Sequence, residues 1–380
     1  MKIPFNKPFL TGKETYYIEQ AVTTGKISGN GEFTKRCHNF FEQKYGFKKS
    51  LLTTSCTDAL EMAAILIDIK PGDEVIIPSF TFVSTANAFV LRGAKIVFVD
   101  CCTDNPNLDP SQLEELITSK TKAIVVVHYA GIACDMDLIM GIAEKYDLFV
   151  IEDAAQAIDS FYKGKPLGSI GHFGTFSFHE TKNVISGEGG MLVVNDERFF
   201  DRAEIIWEKG TNRAAFFRGE INKYTWVDIG SSFLPSDLIA AFLYAQLENL
   251  EQIQNVRKNI WNRYAEGLTK LSEETKIGLP NIPDYATNNA HMFYLICASQ
   301  KERDKLINTL KVHGILAVFH YLSLHKSPFY TKEHDGRNLS NSDRFSSCIV
   351  RLPLFYTLST KEQSAIIKVI RSFFAFKNST

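Results

Sequence analysis

The chain has 380 residues, is 45% hydrophobic and 22% charged, and carries a formal net charge of −1. That length suits about two domains of roughly 150 residues, each with a sizeable core. The near-neutral balance, with no long block of like charge, argues against a nucleic-acid or membrane-surface partner, and no apolar run approaches the ~20 residues of a membrane helix.

In chain order, apolar runs predict strands at Glu74–Phe80, Lys95–Asp100, Ala123–Tyr129, Phe149–Asp153, Gly174–Phe178 and Met191–Val194. Several are apolar on both faces, as strands covered on both sides are. Helical patterns fall between them at Thr57–Ile67, Val83–Leu91, Pro110–Thr118 and Asp135–Tyr146. The alternation predicts an α/β fold with a mostly parallel sheet. From about Pro235 the pattern changes. Ser236–Leu268 reads as one long helix, bent or straight, with Ser236 or Asp237 as its N-cap. After the proline-rich joint at Leu279–Asp284 come a strand at His291–Ala298, a helix at Glu302–Val312, a strand at Leu316–His320 and a last helix at Lys361–Phe374. The expected division is a large domain over 1–250 and a smaller α/β domain over 251–380.

Cysteines 37, 56, 101, 102, 134, 297 and 348 are scattered and lack any CxxC spacing. The N-terminus has no apolar signal core. Reduced thiols in a cytoplasmic protein, with no metal site, is the plain reading.

Lys182 stands in Ser177-Phe178-His179-Glu180-Thr181-Lys182-Asn183, just before the glycine cluster Gly187-Glu188-Gly189-Gly190. Asp153 ends an apolar strand within Glu152-Asp153-Ala154-Ala155-Gln156. A carboxylate at a strand end must be solvated, paired or functional. Thr53-Thr54-Ser55-Cys56-Thr57 precedes a helix, where free backbone N–H groups suit a phosphate, although a simple Ser/Thr N-cap is the commoner use. An amine, a carboxylate and phosphate-holding hydroxyls are what pyridoxal phosphate (PLP) chemistry requires: the amine makes the Schiff base and the acid partners the pyridinium nitrogen. Phe80 and Phe82 follow a strand and could face a planar ring, with core packing as the plainer reading. His128 also ends a strand, where a structural role is the commoner one. Lys209, Arg213, Arg218, Lys223, Phe216, Phe217, Tyr224 and Trp226 crowd one short stretch. Arginine forks suit a diphosphate and aromatic faces suit a base or a sugar.

These motifs, in this order, resemble the DegT/StrS-type sugar aminotransferases, PLP enzymes of fold type I (aspartate-aminotransferase-like) that act on nucleotide-linked keto sugars. The resemblance runs from Ile3-Pro4-Phe5 to Arg351-Leu352-Pro353-Leu354. Lys209-Gly210-Thr211-Asn212-Arg213, Lys223-Tyr224-Thr225-Trp226 and Val318-Phe319-His320-Tyr321 are similar to the members that make dTDP-4-amino-4,6-dideoxygalactose. The resemblance implies conversion of a dTDP-4-keto-6-deoxyhexose to the 4-amino sugar in surface-polysaccharide precursor synthesis. L-Glutamate would be the donor, 2-oxoglutarate the by-product and pyridoxamine phosphate the intermediate cofactor form.

By the same resemblance Lys182 would form the Schiff base and move protons, Asp153 would hold the pyridinium and Gln156 the ring oxygen. Phe82 would stack on the ring. Ser55, Cys56, Thr57 and Ser177 would bind the phosphate. Lys209, Arg213, Arg218, Tyr224, His320 and His325 would meet the substrate. A homodimer with shared active sites is implied, a residue of the second subunit completing the phosphate site. Many relatives place an Asn in the segment matching Gly230–Asp237. None occurs here, and Ser232 is the expected substitute. Ser323 stands where relatives usually have Pro. Amination at C3, a UDP carrier and a gluco product stay open, as does a non-catalytic homologue. A sugar dehydratase typically has His in place of the lysine, which Lys182 argues against.

Overall fold

The computed structural model describes residues 2–275 and 277–377. The strands are β1 (Ser50–Thr53), β2 (Glu74–Pro78), β3 (Lys95–Val99), β4 (Thr121–Val127), β5 (Phe149–Asp153), a short hairpin of β6 (Phe161–Tyr162) and β7 (Lys165–Pro166), β8 (Phe173–Ser177), β9 (Gly190–Val194), β10 (Phe293–Ile296) and β11 (Ile349–Leu352). Seven form one sheet in the order β1-β9-β8-β5-β4-β2-β3. Neighbours from β3 to β8 pair in parallel, whereas β9 runs antiparallel to both β8 and β1. All six predicted strands of this sheet are present.

Both faces of the sheet are covered. Val75, Ile77, Ala123, Val125 and Ile151 pack on one side with Ala59, Met62, Ala63 and Phe89 of the Cys56–Leu66 and Val83–Val90 helices. Ile76, Ile124, Val126 and Val150 point to the other side, with Phe33, Phe41, Ile139 and Leu243 from the Glu32–Tyr45, Met136–Lys145 and Asp237–Leu247 helices. This alternation of fully apolar strands is what a doubly covered parallel sheet needs.

Three expectations differ from the structure, which also holds elements not named above: β1, β11 and the Glu14–Thr23 and Glu32–Tyr45 helices. Pro110–Thr118 is a 3₁₀ turn at Pro110–Gln112 and a single turn at Leu113–Leu116. Leu316–His320 is not a strand; only Val318 bridges to Arg351. The helix expected at Ser236–Leu268 is two, Asp237–Leu247 and Leu250–Thr275. They part where the Asn249 side chain donates back to the Ala245 carbonyl and Glu248 turns to Lys13 and Tyr17.

Asp237 is also not the cap of its own helix. It lies buried in the first turn and accepts the N–H groups of Phe33 (3.2 Å) and Thr34 (2.9 Å) and the Thr34 hydroxyl (2.8 Å). It therefore caps the Glu32–Tyr45 helix from outside. Gly31 makes room for it, since a Cβ there would lie 2.4 Å from the Asp237 carboxyl carbon.

The C-terminal part pairs β10 with β11 and packs Tyr264, Phe293, Leu306 and Ile366 in a separate core. Ile3 belongs to that core too. Its N–H bonds the Gly314 carbonyl and its own carbonyl takes the Leu316 N–H, so the start of the chain is held by the C-terminal layer. Among the described residues no helix is long and apolar enough to cross a membrane.

Asp237→Ala strands two buried N–H groups and should lower unfolding stability by about 3 kcal/mol. Gly31→Ala should act through the same contact. Urea unfolding of the two single variants and the double variant should therefore give a sum that is clearly less than additive.

Candidate active site

The carboxyl ends of β4, β5 and β8, with Thr81 and Phe82 of the loop after β2, open on one cavity of about 680 Å³. Open α/β sheets place ligands at this edge. Ser55, Cys56, Thr57, Phe82, Asp153, Gln156, Ser177, Lys182 and His320 all line it. A larger hollow, about 850 Å³, lies between the Gln300–Val312 and Thr360–Lys377 helices and holds none of the residues singled out above.

Asp153 ends β5 with its side chain buried. One carboxylate oxygen takes the Thr85 hydroxyl at 2.7 Å and the other the Ala155 N–H at 3.2 Å. Burial pushes its carboxyl up, and the Thr85 and Ala155 bonds and the Lys182 charge work against that shift. A buried carboxylate so placed is completed by an N–H⁺ donor. Lys182 sits in the loop between β8 and β9. Burial pushes its amine down from the ordinary lysine range, with Arg351 adding to this and Cys56 and Asp153 opposing it. A lower amine pKa makes a lysine a better nucleophile and proton carrier.

The turn that starts the Cys56–Leu66 helix is built by packing. Ser55 Oγ caps the Cys56–Leu66 helix by accepting the Asp58 N–H at 3.1 Å, so the first-turn N–H groups of Cys56 and Thr57 have no intrahelical partner. Gly190 presses against this turn: a Cβ there would lie 2.3 Å from the Ser55 carbonyl carbon and 2.4 Å from the Cys56 nitrogen. The Thr57 hydroxyl donates to Ser84 at 2.8 Å. The Cys56 thiol is pushed up by burial, so it stays protonated and unreactive. An aldehyde-bearing, planar, phosphorylated pyridine fits this set: a buried amine with a lowered pKa, a buried acid, an exposed aromatic face at Phe82 (56% exposed) and a helix start approached closely by a glycine.

Gln156 is oriented by its neighbours. Its Oε1 takes the Ala130 N–H at 2.6 Å and its Nε2 donates to the Tyr321 hydroxyl at 2.9 Å. Tyr321 stacks on His320 at 3.5 Å between ring centres, and His320 Nδ1 meets the Tyr129 hydroxyl at 2.6 Å. His128 is structural. Its Nδ1 accepts the Cys134 N–H, so its Nε2 carries the proton given to Glu152 at 2.9 Å. Glu152 takes three backbone N–H groups as well, from Gly168, Ile170 and Gly171.

The remaining expected residues lie elsewhere. His325 does not reach the cavity. It is buried with Nδ1 2.7 Å from Ser79 Oγ and Nε2 3.6 Å from Asp343, and it fixes the Leu324–Lys326 turn to the end of β2. Lys209, Arg213, Arg218, Tyr224 and Ser232 are exposed and outside this chain's cavity. Arg218 pairs with Glu204 and Glu220, the Arg213 guanidinium lies over Phe217, Tyr224 packs on Phe216, and Ser232 bridges to Glu208.

Sequence reasoning missed Thr85, His291, Tyr321 and Arg351 as cavity residues. Arg351 lines it with no ion pair among the described residues; its guanidinium reaches only the Phe319 carbonyl at 3.3–3.4 Å and lies over the Phe5 ring. The one available signal was Arg351-Leu352-Pro353-Leu354, an arginine in an otherwise apolar run.

A fold of this kind, with a lysine and a buried acid in one cavity at the carboxyl edge of the sheet, is that of a fold-type-I PLP-dependent enzyme. The model of the DegT/DnrJ/EryC1/StrS aminotransferase family matches residues 9–371, and the chain belongs to that family of PLP-dependent sugar aminotransferases. It is 32% identical to the spore coat polysaccharide biosynthesis protein SpsC of Bacillus subtilis (97% of this chain, 96% of that one). It is 31% identical to GDP-perosamine synthase of Escherichia coli O157:H7 (99% of each). Among solved structures it is similar to the aminotransferase from Psychrobacter cryohalolentis, with TM-score 0.92, 26% identity and 98% and 99% of the chains covered. The pyridoxamine-phosphate form of the putative sugar aminotransferase Spr1654 from Streptococcus pneumoniae matches with TM-score 0.90, 28% identity and 98% and 99% coverage.

Gly190→Ala should force the Ser55–Cys56 turn to move and weaken PLP binding by about tenfold. Titration of cofactor-free protein with PLP, read by absorbance, checks this; affinity equal to that of the parent would mean the turn does not hold the phosphate.

Proposed function

We propose that the protein transfers an amino group from L-glutamate to C4 of a dTDP-linked 4-keto-6-deoxyhexose, giving the galacto-configured 4-amino-4,6-dideoxy sugar for surface-polysaccharide synthesis. The observation that carries the reading is Lys182 and Asp153 meeting in one cavity, the amine drawn toward neutrality and the acid left without a cationic partner of its own kind of ring.

In this reading Asp153 faces the ring nitrogen, Gln156 the ring oxygen and Phe82 the ring face. Ser55, Cys56, Thr57 and Ser177 hold the phosphate. When bound, PLP supplies a carbonyl that accepts the amine and a ring that draws off the electron pair left on carbon. Lys182 takes the proton from the donor Cα and returns it to the cofactor carbon, then reverses the order for the keto sugar. Arg351, a half-buried cation without a carboxylate opposite, is suited to the donor's carboxylate.

The working unit is a homodimer with shared active sites. Support comes from the segment holding Lys209, Arg213, Arg218, Tyr224 and Ser232, which leaves Trp226 76% and Phe217 68% exposed. Large rings in water are unusual for a solvated loop. A second copy would cover them and bring their cationic neighbours, with Ser232, to the phosphate and diphosphate of the facing site. All seven cysteines are thiols, in keeping with a reducing cytoplasm. The kinship with GDP-perosamine synthase favours one alternative, a GDP-linked keto sugar.

The test adds L-glutamate to the PLP-loaded protein, follows loss of the lysine-linked cofactor band, then supplies dTDP- and GDP-linked 4-keto-6-deoxyhexoses in parallel and identifies the product by NMR. Recovery of the band with the dTDP sugar and an axial C4 amine is the expected result. Recovery with the GDP sugar alone would reject the carrier, and an equatorial amine would reject the galacto product. Lys182→Ala should abolish turnover while leaving the protein folded. Arg351→Ala should raise KM for L-glutamate by about tenfold or more with KM for the sugar little changed, and steady-state kinetics in both substrates separates the two.

A further inference from the structure

His291 lines the cavity with Lys182, although nothing above gives it a task. Its tautomer follows from the bonds around it. The Asn183 amide is fixed because its Nδ2 donates to Gln254 Oε1 and to the Asn289 carbonyl, each at 2.8 Å. Its Oδ1 therefore faces His291 Nδ1, at 2.9 Å, and must accept a proton from it. Nδ1 is thus the N–H of the ring, and Nε2 is a bare lone pair. That atom has no hydrogen-bond partner among the described residues and is not among the fully enclosed unpaired atoms, so it looks into the cavity.

The ring cannot easily become a donor at Nε2. Burial, together with the charges of Lys182, Arg257 and Arg351, holds its pKa far below the ordinary histidine range. The backbone is pinned as well: the His291 N–H goes to Asn289 Oδ1 at 3.0 Å and its carbonyl takes Arg257 at 2.7 Å. Asn183 also follows Lys182 directly in the chain, so the acceptor keeps a fixed relation to the lysine loop. Held by these bonds, His291 offers the cavity a fixed acceptor at Nε2, in the same cavity that Lys182 lines.

A ligand group with an O–H or N–H must fill it, or a buried lone pair is left unmet. In a 4-keto-6-deoxyhexose the reacting carbon has two neighbours. C5 carries the methyl carbon and the ring oxygen, neither of which donates. C3 carries a hydroxyl. We propose that His291 Nε2 accepts the hydrogen bond of the sugar's C3 hydroxyl, which makes His291 a specificity-determining residue that requires a hydroxyl next to the carbon receiving the amine. This rests on the proposed 4-keto sugar as substrate.

The experiment compares the 4-keto-6-deoxyhexose with its 3-deoxy analogue, both dTDP-linked, in the parent protein, His291→Phe and His291→Gln. The parent should prefer the hydroxylated sugar by about a hundredfold in kcat/KM, since a site built around a hydroxyl rejects a ligand lacking it. His291→Phe should lose activity on the hydroxylated sugar and shrink the preference to about threefold, while His291→Gln, which keeps an acceptor, should hold most of it. A purely structural role would lower both substrates together and leave the preference intact, which overturns the proposal. Calorimetry gives a readout independent of turnover and of any variant's folding: cofactor-free parent protein should bind the dTDP-4-amino sugar more tightly than its 3-deoxy form, and equal affinity also overturns it. Parent protein that processes no dTDP-4-keto sugar at all would fail the substrate reading itself, a result distinct from turnover without hydroxyl preference.

Discussion

Everything at the site depends on removing Asp153 and Lys182 from water in the same cavity. Desolvation acts on the two groups in opposite chemical directions, raising the acid and lowering the amine, so each is moved toward neutrality. Left alone, that arrangement is costly. The Thr85 hydroxyl and the Ala155 N–H offset part of it at Asp153. A cationic N–H facing the acid and a carbonyl taking the amine would offset more of it, which is how the proposed cofactor suits the cavity.

The sheet supplies the placement. Asp153 ends β5 and Ser177 ends β8, and the two strands are parallel neighbours with Asp153 in register with Thr175. Parallel strands bring their carboxyl ends to one edge without further design. The exception in direction, β9, serves the same edge. Because it returns antiparallel beside β8, the chain leaves the sheet at Ser177, carries Lys182 through a loop, and re-enters at Gly190 within a single excursion. The residue at the re-entry point then abuts the Ser55–Cys56 turn, which only a residue without a Cβ can do. One hairpin thus fixes both the amine and the shape of the turn opposite.

This explains what was legible in the sequence. Six strands of the large sheet are short apolar runs covered on both faces, so the apolar pattern located them, whereas β1 and β11 did not stand out. The lysine and the acid sit at strand ends, where sequence order maps directly onto the cavity edge. Three of the four missed cavity residues share a cause, Thr85 of the Val83–Val90 helix being the exception. Arg351, Tyr321 and His291 come from the C-terminal part and reach the cavity only through tertiary packing, as when Val318 pairs with Arg351 or Tyr321 meets Gln156. No local period announces such a contact. Asp237 was read as a cap from its place before a helix, and it is one, but for a helix 203 residues away in sequence terms at Thr34. His325 failed for the opposite reason: a titratable side chain near matched motifs is as readily used by the fold, here by Ser79, as by a ligand.

The C-terminal part thereby adds a division of labour. The large sheet provides the groups suited to the cofactor, while Arg351, Tyr321, His320 and His291 approach from the other side and face whatever is bound over it. His320 and His291 are both driven far below the ordinary histidine range by burial and by nearby cations. In the proposed reaction the lysine is the group that moves protons. The surrounding residues can then be tuned for the sugar without disturbing that step. A cofactor half held constant and a substrate half assembled from distant segments is an arrangement in which one chemistry can serve different keto sugars.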